Sequence, residues 1–177
     1  ASGEAIPVRQ EDLAINGHAI EARLYAEDPS IGFLPSTGAL DHFDLGREGR
    51  IETGVEEGDV ISPHYDPMVA KLVAWGETRG EAIDQLAAIA EGAEVWPVKT
   101  NAAFLANALL DDDFGEGNLD TGFIERKLDT LVADGEPDDT VWQAAADFTV
   151  LDAIEENAPR PIGFRLNADP RVTATLF

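Results

Sequence analysis

Apolar and polar residues alternate with a period of two from His18 to Ala26. Ile20, Ala22 and Leu24 fall on one face, and Ala19, Glu21 and Arg23 on the other. That pattern predicts a half-buried β-strand. A turn at Pro35-Ser36-Thr37-Gly38 should lead into a second strand over Ala39–Leu45, where the alternation is imperfect. Arg50–Val55 reads as a short third strand after the Gly46 and Gly49 turn. Glu56-Glu57-Gly58-Asp59 reads as a solvated turn, and Met68–Trp75 as a strand buried on at least one side.

The period then changes to that of a helix. Thr78 and Glu81 have the spacing of a capping box, and Ile83, Leu86, Ile89 and Ala90 form an apolar stripe that Gly92 should end. Val95–Val98 reads as a short strand interrupted by Pro97. Thr100 is the expected N-cap of a helix carrying Phe104, Leu105 and Leu109, and Asp111-Asp112-Asp113 its expected end. Thr121 or Gly122 should open another helix, through Leu131. Beyond a linker at Asp134–Asp139, a helix is expected over Thr140–Glu155 and a strand over Ile162–Asn167.

Charge changes the picture next. The 177 residues hold 35 acids and 12 Lys plus Arg, for a net charge of −23, and only Lys71, Lys99 and Lys127 are lysines. Nucleic acid is excluded as an expected partner, because its phosphates would be repelled. An acidic, lysine-poor surface on a chain that is 44% hydrophobic suits high salt, where the screening length falls to about 3 Å. No apolar run is long enough to span a membrane, and no signal peptide is visible, so a cytoplasmic location is the expectation. Cysteine is absent, which rules out disulfides and thiolate metal sites within these residues.

The candidate chemistry sits on the first strand. Glu21 and Arg23 share its polar face two residues apart. By spacing alone they read first as an ion pair on a half-exposed sheet. The guanidinium of Arg23 also offers a planar fork of donors, suited to a carboxylate, bicarbonate or an enolate-like oxygen. His18, His42 and His64 have no ligand spacing and read as structural, and no metal site is expected. Trp75, Trp96 and Trp142 read as core or interface aromatics.

Four segments resemble signatures of one family, in its order. They are Gly17–Pro29 followed by Phe33-Leu34-Pro35-Ser36-Thr37-Gly38, then Tyr65-Asp66-Pro67-Met68-Val69-Ala70-Lys71-Leu72, then Val98-Lys99-Thr100-Asn101, then Gly117-Asn118-Leu119-Asp120-Thr121. Together, over Gly17–Leu131, they resemble the C-terminal domain of biotin carboxylase, most like that of the acetyl- and propionyl-CoA carboxylases.

The resemblance implies an α+β fold, a small antiparallel sheet with packed helices. It implies that residues 1–16 lead out of an ATP-grasp domain, that 17–133 are the domain itself, and that 134–177 are a linker, a helix and the start of a following segment. Arg23 would lie at the carboxylation site, against bicarbonate and the biotin ureido oxygen, with Glu21 in support. Tyr65 and Asp66 would lie near that site and the dimer face. Arg50 would lie at a subunit interface, although Arg47 stands where the family patch has an aromatic. Thr121 matches a position near the adenine of ATP, but reads first as a helix cap.

No Gly-rich loop with a following Lys and no carboxylate pair for Mg²⁺ is visible in the sequence. The cofactors that the resemblance implies are biotin on a separate carrier, and ATP and Mg²⁺ bound mainly elsewhere. The implied partners are the ATP-grasp half, biotin carboxyl carrier and carboxyltransferase subunits, and a second copy in a homodimer. Two other readings stay open: a non-enzymatic assembly module that binds carboxylase subunits, and the C-terminal part of another ATP-grasp ligase.

Overall fold

The structure, a computed structural model, describes residues 2–132 and 139–146. The chain divides into two compact units, Ala1–Ala133 and Asp134–Phe177. In the second unit residues 139–146 are helical. The rest of the helix expected to Glu155, most of the linker, and the strand expected at Ile162–Asn167 lie outside the described residues.

The first unit is built on a three-stranded antiparallel sheet. Its strands are β1 (His18–Tyr25), β6 (Arg50–Thr53) and β8 (Met68–Gly76), in the order β1-β8-β6. The alternation in β1 does what it predicts: Ala22 and Leu24 are buried, while Glu21 and Arg23 stay exposed. β8 lies in the middle and is the most apolar strand, with Val69, Ala70, Leu72 and Ala74 buried. The register slips where β1 ends: Leu24 faces Ala70 but Tyr25 faces Met68, which leaves Val69 as a bulge. On the other side of β8, the Thr53 hydroxyl of β6 donates to the Val69 carbonyl at 2.9 Å.

Helix α1 (Arg79–Glu91) covers the inner face of the sheet. It starts as expected, in a full capping box: the Glu81 amide donates to Thr78 Oγ1 at 3.2 Å, and the Thr78 amide donates to Glu81 Oε2 at 3.3 Å. Its stripe of Ile83, Leu86, Ala87, Ile89 and Ala90 is buried against the strands. Helix α2 (Ala102–Leu109) packs on α1, and a smaller cluster of Phe104, Phe123 and Leu131 joins it to α4 (Phe123–Leu131).

Short two-stranded ribbons complete the unit. They are β2 (Glu27–Asp28) with β3 (Leu34–Pro35), β4 (Gly38–Ala39) with β7 (Val60–Ile61), and β5 (His42–Asp44) with β9 (Glu94–Trp96). The single strand expected over Ala39–Leu45 is thus broken. β4 and β5 pair with different partners, and Leu40 between them is fully buried.

Two helix-terminus expectations change and a third is resolved. Asp111 does not end α2; it is the N-cap of α3 (Asp112–Glu116), accepting the Asp113 amide at 3.0 Å. The acids therefore sit at a helix N-terminus, where the dipole favours them. Thr100 is not the N-cap of α2; that position is Asn101. Of the two residues expected to open α4, Gly122 is the N-cap, so Thr121 does not cap that helix. The core reading of the tryptophans also fails. Trp75, Trp96 and Trp142 are 48%, 63% and 43% exposed, because Trp75 lies on the outer face of β8 and Trp96 lies on an exposed ribbon.

Candidate functional site

The outer face of the β1-β8-β6 sheet is a ladder of charges. In one row Arg23 stands beside Lys71, and Lys71 beside Glu52. In the next, Glu21 stands beside Val73, and Val73 beside Arg50. Two cations directly opposite one another, Arg23 and Lys71, repel. Each is drawn to its own carboxylate. Arg23 Nε contacts Glu21 Oε1 at 3.3 Å, and Lys71 and Arg50 both contact Glu52. The Glu52 carboxyl is held below its ordinary pKa, by Lys71 first and Arg50 second.

Arg23 is the group here with chemistry to spare. Its side chain is 60% exposed, and it makes a single-point contact with Glu21, so most of its five donors remain available. Its pKa is raised further, by Tyr25 first and Glu21 second, so it stays cationic at any working pH. An exposed, permanently charged fork on a rigid strand can take a carboxylate, a bicarbonate or a developing oxyanion.

The structure brings the Tyr65-Asp66-Pro67 turn to the same end of β1. The Ala26 amide donates to the Pro67 carbonyl at 2.8 Å, and Asp66 Oδ1 accepts the Met68 amide at 3.0 Å to start β8. Tyr65 is 87% exposed. Glu27, close by, has its carboxyl pKa raised, by burial first and by the charge of Asp66 second. Arg50 lies on the far strand of the ladder. Thr121 lies elsewhere, exposed in the turn before α4, a helix that packs on α2.

Among the described residues, no group of three or more His, Asp and Glu side chains could hold a metal ion. His42 is tied into the β5–β9 ribbon, 2.9 Å from Glu94 and 3.4 Å from Glu57, and its pKa is raised, chiefly by Glu94. His18 opens β1, and His64 lies in the turn before Tyr65.

Two buried polar side chains escaped the sequence reading. Asp28 is 7% exposed; its Oδ2 receives Lys99 Nζ at 2.6 Å, and its Oδ1 receives the Ser30 amide at 3.0 Å. Its pKa is lowered, by Lys99 first and Ser30 second. Asn101 is 5% exposed and turned toward β1. The only local signal for it was the Val98-Lys99-Thr100-Asn101 segment, where a cap was expected one residue early.

Comparison with known proteins identifies relatives of the chain. The family described as biotin carboxylase C-terminal domain matches residues 21–126. The mitochondrial methylcrotonoyl-CoA carboxylase subunit alpha of Arabidopsis thaliana is 46% identical over 137 residues, which is 76% of this chain and 19% of that protein. Biotin carboxylase 2 of Bacillus subtilis is 40% identical over 130 residues, 72% of this chain and 29% of that one. Among solved structures, the biotin carboxylase domain dimer of Hydrogenobacter thermophilus 2-oxoglutarate carboxylase, in complex with MgADP, ADP and bicarbonate, has a TM-score of 0.70 and 35% identity, covering 76% of this chain and 30% of that one. The chain thus spans less than a third of the length of these relatives.

Proposed function

The chain belongs to the family of biotin carboxylase C-terminal domains, and from that premise we propose that it forms one wall of the biotin carboxylation site in a biotin-dependent acyl-CoA carboxylase. The parent reaction would be ATP-dependent carboxylation of carrier-borne biotin by bicarbonate. The observation that carries the reading is the exposed Arg23 guanidinium, steadied by Glu21 on the open face of the sheet, inside the matched region.

Arg23 fits the oxygen chemistry of that reaction. Carboxylation of a biotin ureido nitrogen develops negative charge on the ureido oxygen, and a fixed guanidinium would take up that charge. Bicarbonate would suit the same fork. Glu21 orients Arg23 in this reading. Tyr65 and Asp66 shape the nearby rim, and Arg50 serves an interface with a second copy. The described residues offer no metal-holding cluster, so no step through Mg²⁺ or the ATP phosphates is assigned to them. ATP proximity at Thr121 stays part of the proposal, with the exposed turn before α4 as its location.

The proposed partners are an ATP-grasp half, a biotin carboxyl carrier and a carboxyltransferase. The proposed setting is a cytoplasm at high salt, which the net charge of −23 supports. Reconstitution tests the reading. The chain alone should show no bicarbonate-dependent ATP cleavage; united with an ATP-grasp half it should restore biotin carboxylation. Binding of the partner without turnover, in a preparation where the native enzyme turns over, would make the domain an assembly module instead.

A further inference from the structure

We infer that Asn101 is a positioning residue for Arg23, acting through the backbone of β1; the inference rests on the proposed role of Arg23. β1 is an edge strand, paired to β8 on one side only. On its other side one residue supplies the missing partner. Asn101 Oδ1 accepts the Tyr25 amide at 2.9 Å. Asn101 Nδ2 donates to the Arg23 carbonyl at 3.3 Å. The Asn101 amide donates to the Tyr25 carbonyl at 3.1 Å. The peptide unit that follows Arg23 is thus held through its carbonyl by Asn101 along the free edge, while β1 is paired with β8 along the other.

Two observations separate this from ordinary helix capping. Asn is among the best N-cap residues, and Asn101 occupies the N-cap of α2, yet its side chain makes no cap bond to that helix. The side chain serves β1 instead, more than seventy residues away in sequence. It also joins the strand at the bulge, where the β8 register slips between Leu24 and Tyr25 and pairing on that side is irregular. The Arg23 carbonyl faces the free edge, so Arg23 and Lys71 form a non-hydrogen-bonded pair, the kind in which side chains stand closest. A small tilt of β1 there moves the guanidinium relative to Lys71 on β8.

The test is a double-mutant cycle in the enzyme that unites this domain with its ATP-grasp half. Asn101→Asp keeps the acceptor for the Tyr25 amide and removes the donor to the Arg23 carbonyl. It should lower kcat for biotin carboxylation about ten- to a hundred-fold, as an ångström-scale misplacement does, with the KM for ATP unchanged. In an Arg23→Ala background the same change should have almost no further effect on kcat, because residues acting as a unit are not additive. In the 177-residue chain the Tyr25 amide should remain protected from hydrogen exchange in Asn101→Asp and lose protection in Asn101→Ala. If Asn101→Asp does not fold, Asn101→Ser, too short to reach the Arg23 carbonyl, replaces it in the cycle. Additive losses, or a kcat unchanged by Asn101→Asp while Arg23→Ala is strongly impaired, would overturn this inference and leave the role of Arg23 standing. An Arg23→Ala enzyme of normal rate would overturn the proposed function itself.

Discussion

The two faces of the β1-β8-β6 sheet are made of alternate residues of the same three strands, and they obey different physics. Inward, Ala22, Leu24, Leu72 and Ala74 are buried against α1. Outward, the exposed Arg23, Glu21 and Arg50 and the half-buried Lys71 and Glu52 form a ladder of paired charges. The inner face stabilises by removing apolar area from water, about 25 cal/mol per Å², and tolerates no change of shape. The outer face adds little to stability, since exposed ion pairs contribute about 0–1 kcal/mol each. One face can therefore carry chemistry without risk to the fold, because the other face holds the strands in place.

Salt gives the largest test of that division. With a net charge of −23, the chain should lose helicity in dilute buffer and regain it near molar KCl, where the screening length falls from about 30 Å at 0.01 M to about 3 Å at 1 M. Circular dichroism over a KCl series checks this; full helicity in dilute buffer would show that surface repulsion does not govern the fold.

Next in size is the inner face. Leu72 is fully buried at the centre of β8, so Leu72→Ala should cost about 2–5 kcal/mol in urea unfolding. The loss should be the same at low and high salt wherever the chain is folded, because no charge is involved.

Arg23→Ala should do the reverse. Its stability cost should stay within about 0–1 kcal/mol, while carboxylation in the united enzyme falls roughly 100- to 1000-fold, or about 2.7–4 kcal/mol of barrier. Arg23→Lys should recover only part of that rate, since an ammonium keeps the charge and loses the fork. A variant that unfolds while its folded fraction turns over normally would move Arg23 to the structural side of the comparison.

The smallest effect concerns Asp28, a charge that sits on the buried side. Its folded pKa lies below the unfolded one because Lys99 and Ser30 hold the carboxylate. Its contribution is therefore present above the unfolded value, about pH 3.9, and is lost as pH falls through the lower folded value. The stability gap between the wild-type chain and Asp28→Asn should accordingly be at its full width above about pH 5 and close in strong acid. A gap that does not vary with pH would mean that the ionised form makes no specific contribution.

Much of the fold was legible because its signals are local. The alternation of β1, the apolar run of β8 and the Thr78–Glu81 capping box each lie within a few residues, and each formed as expected. The Glu21–Arg23 pair was legible for the same reason, as a spacing of two puts both on one face. The errors came where a local preference met a distant partner. Leu40 broke an expected strand because its two flanks pair with different segments. Asp111 read as an end, and it begins a helix whose first turn Lys127 reaches from α4.

What the sequence determined by itself is which residues face in, which face out, where α1 starts, and the family to which four separate segments point. Only the tertiary structure decided which strands meet, which cations share a row, and what the buried polar groups do. Asp28 finds Lys99, and Asn101 finds the backbone of Arg23 and Tyr25, across more than seventy residues of chain. Periodicity records how a residue is turned about its own strand or helix. It carries nothing about which other segment will arrive on the other side, and a buried donor or acceptor takes its partner from whatever arrives.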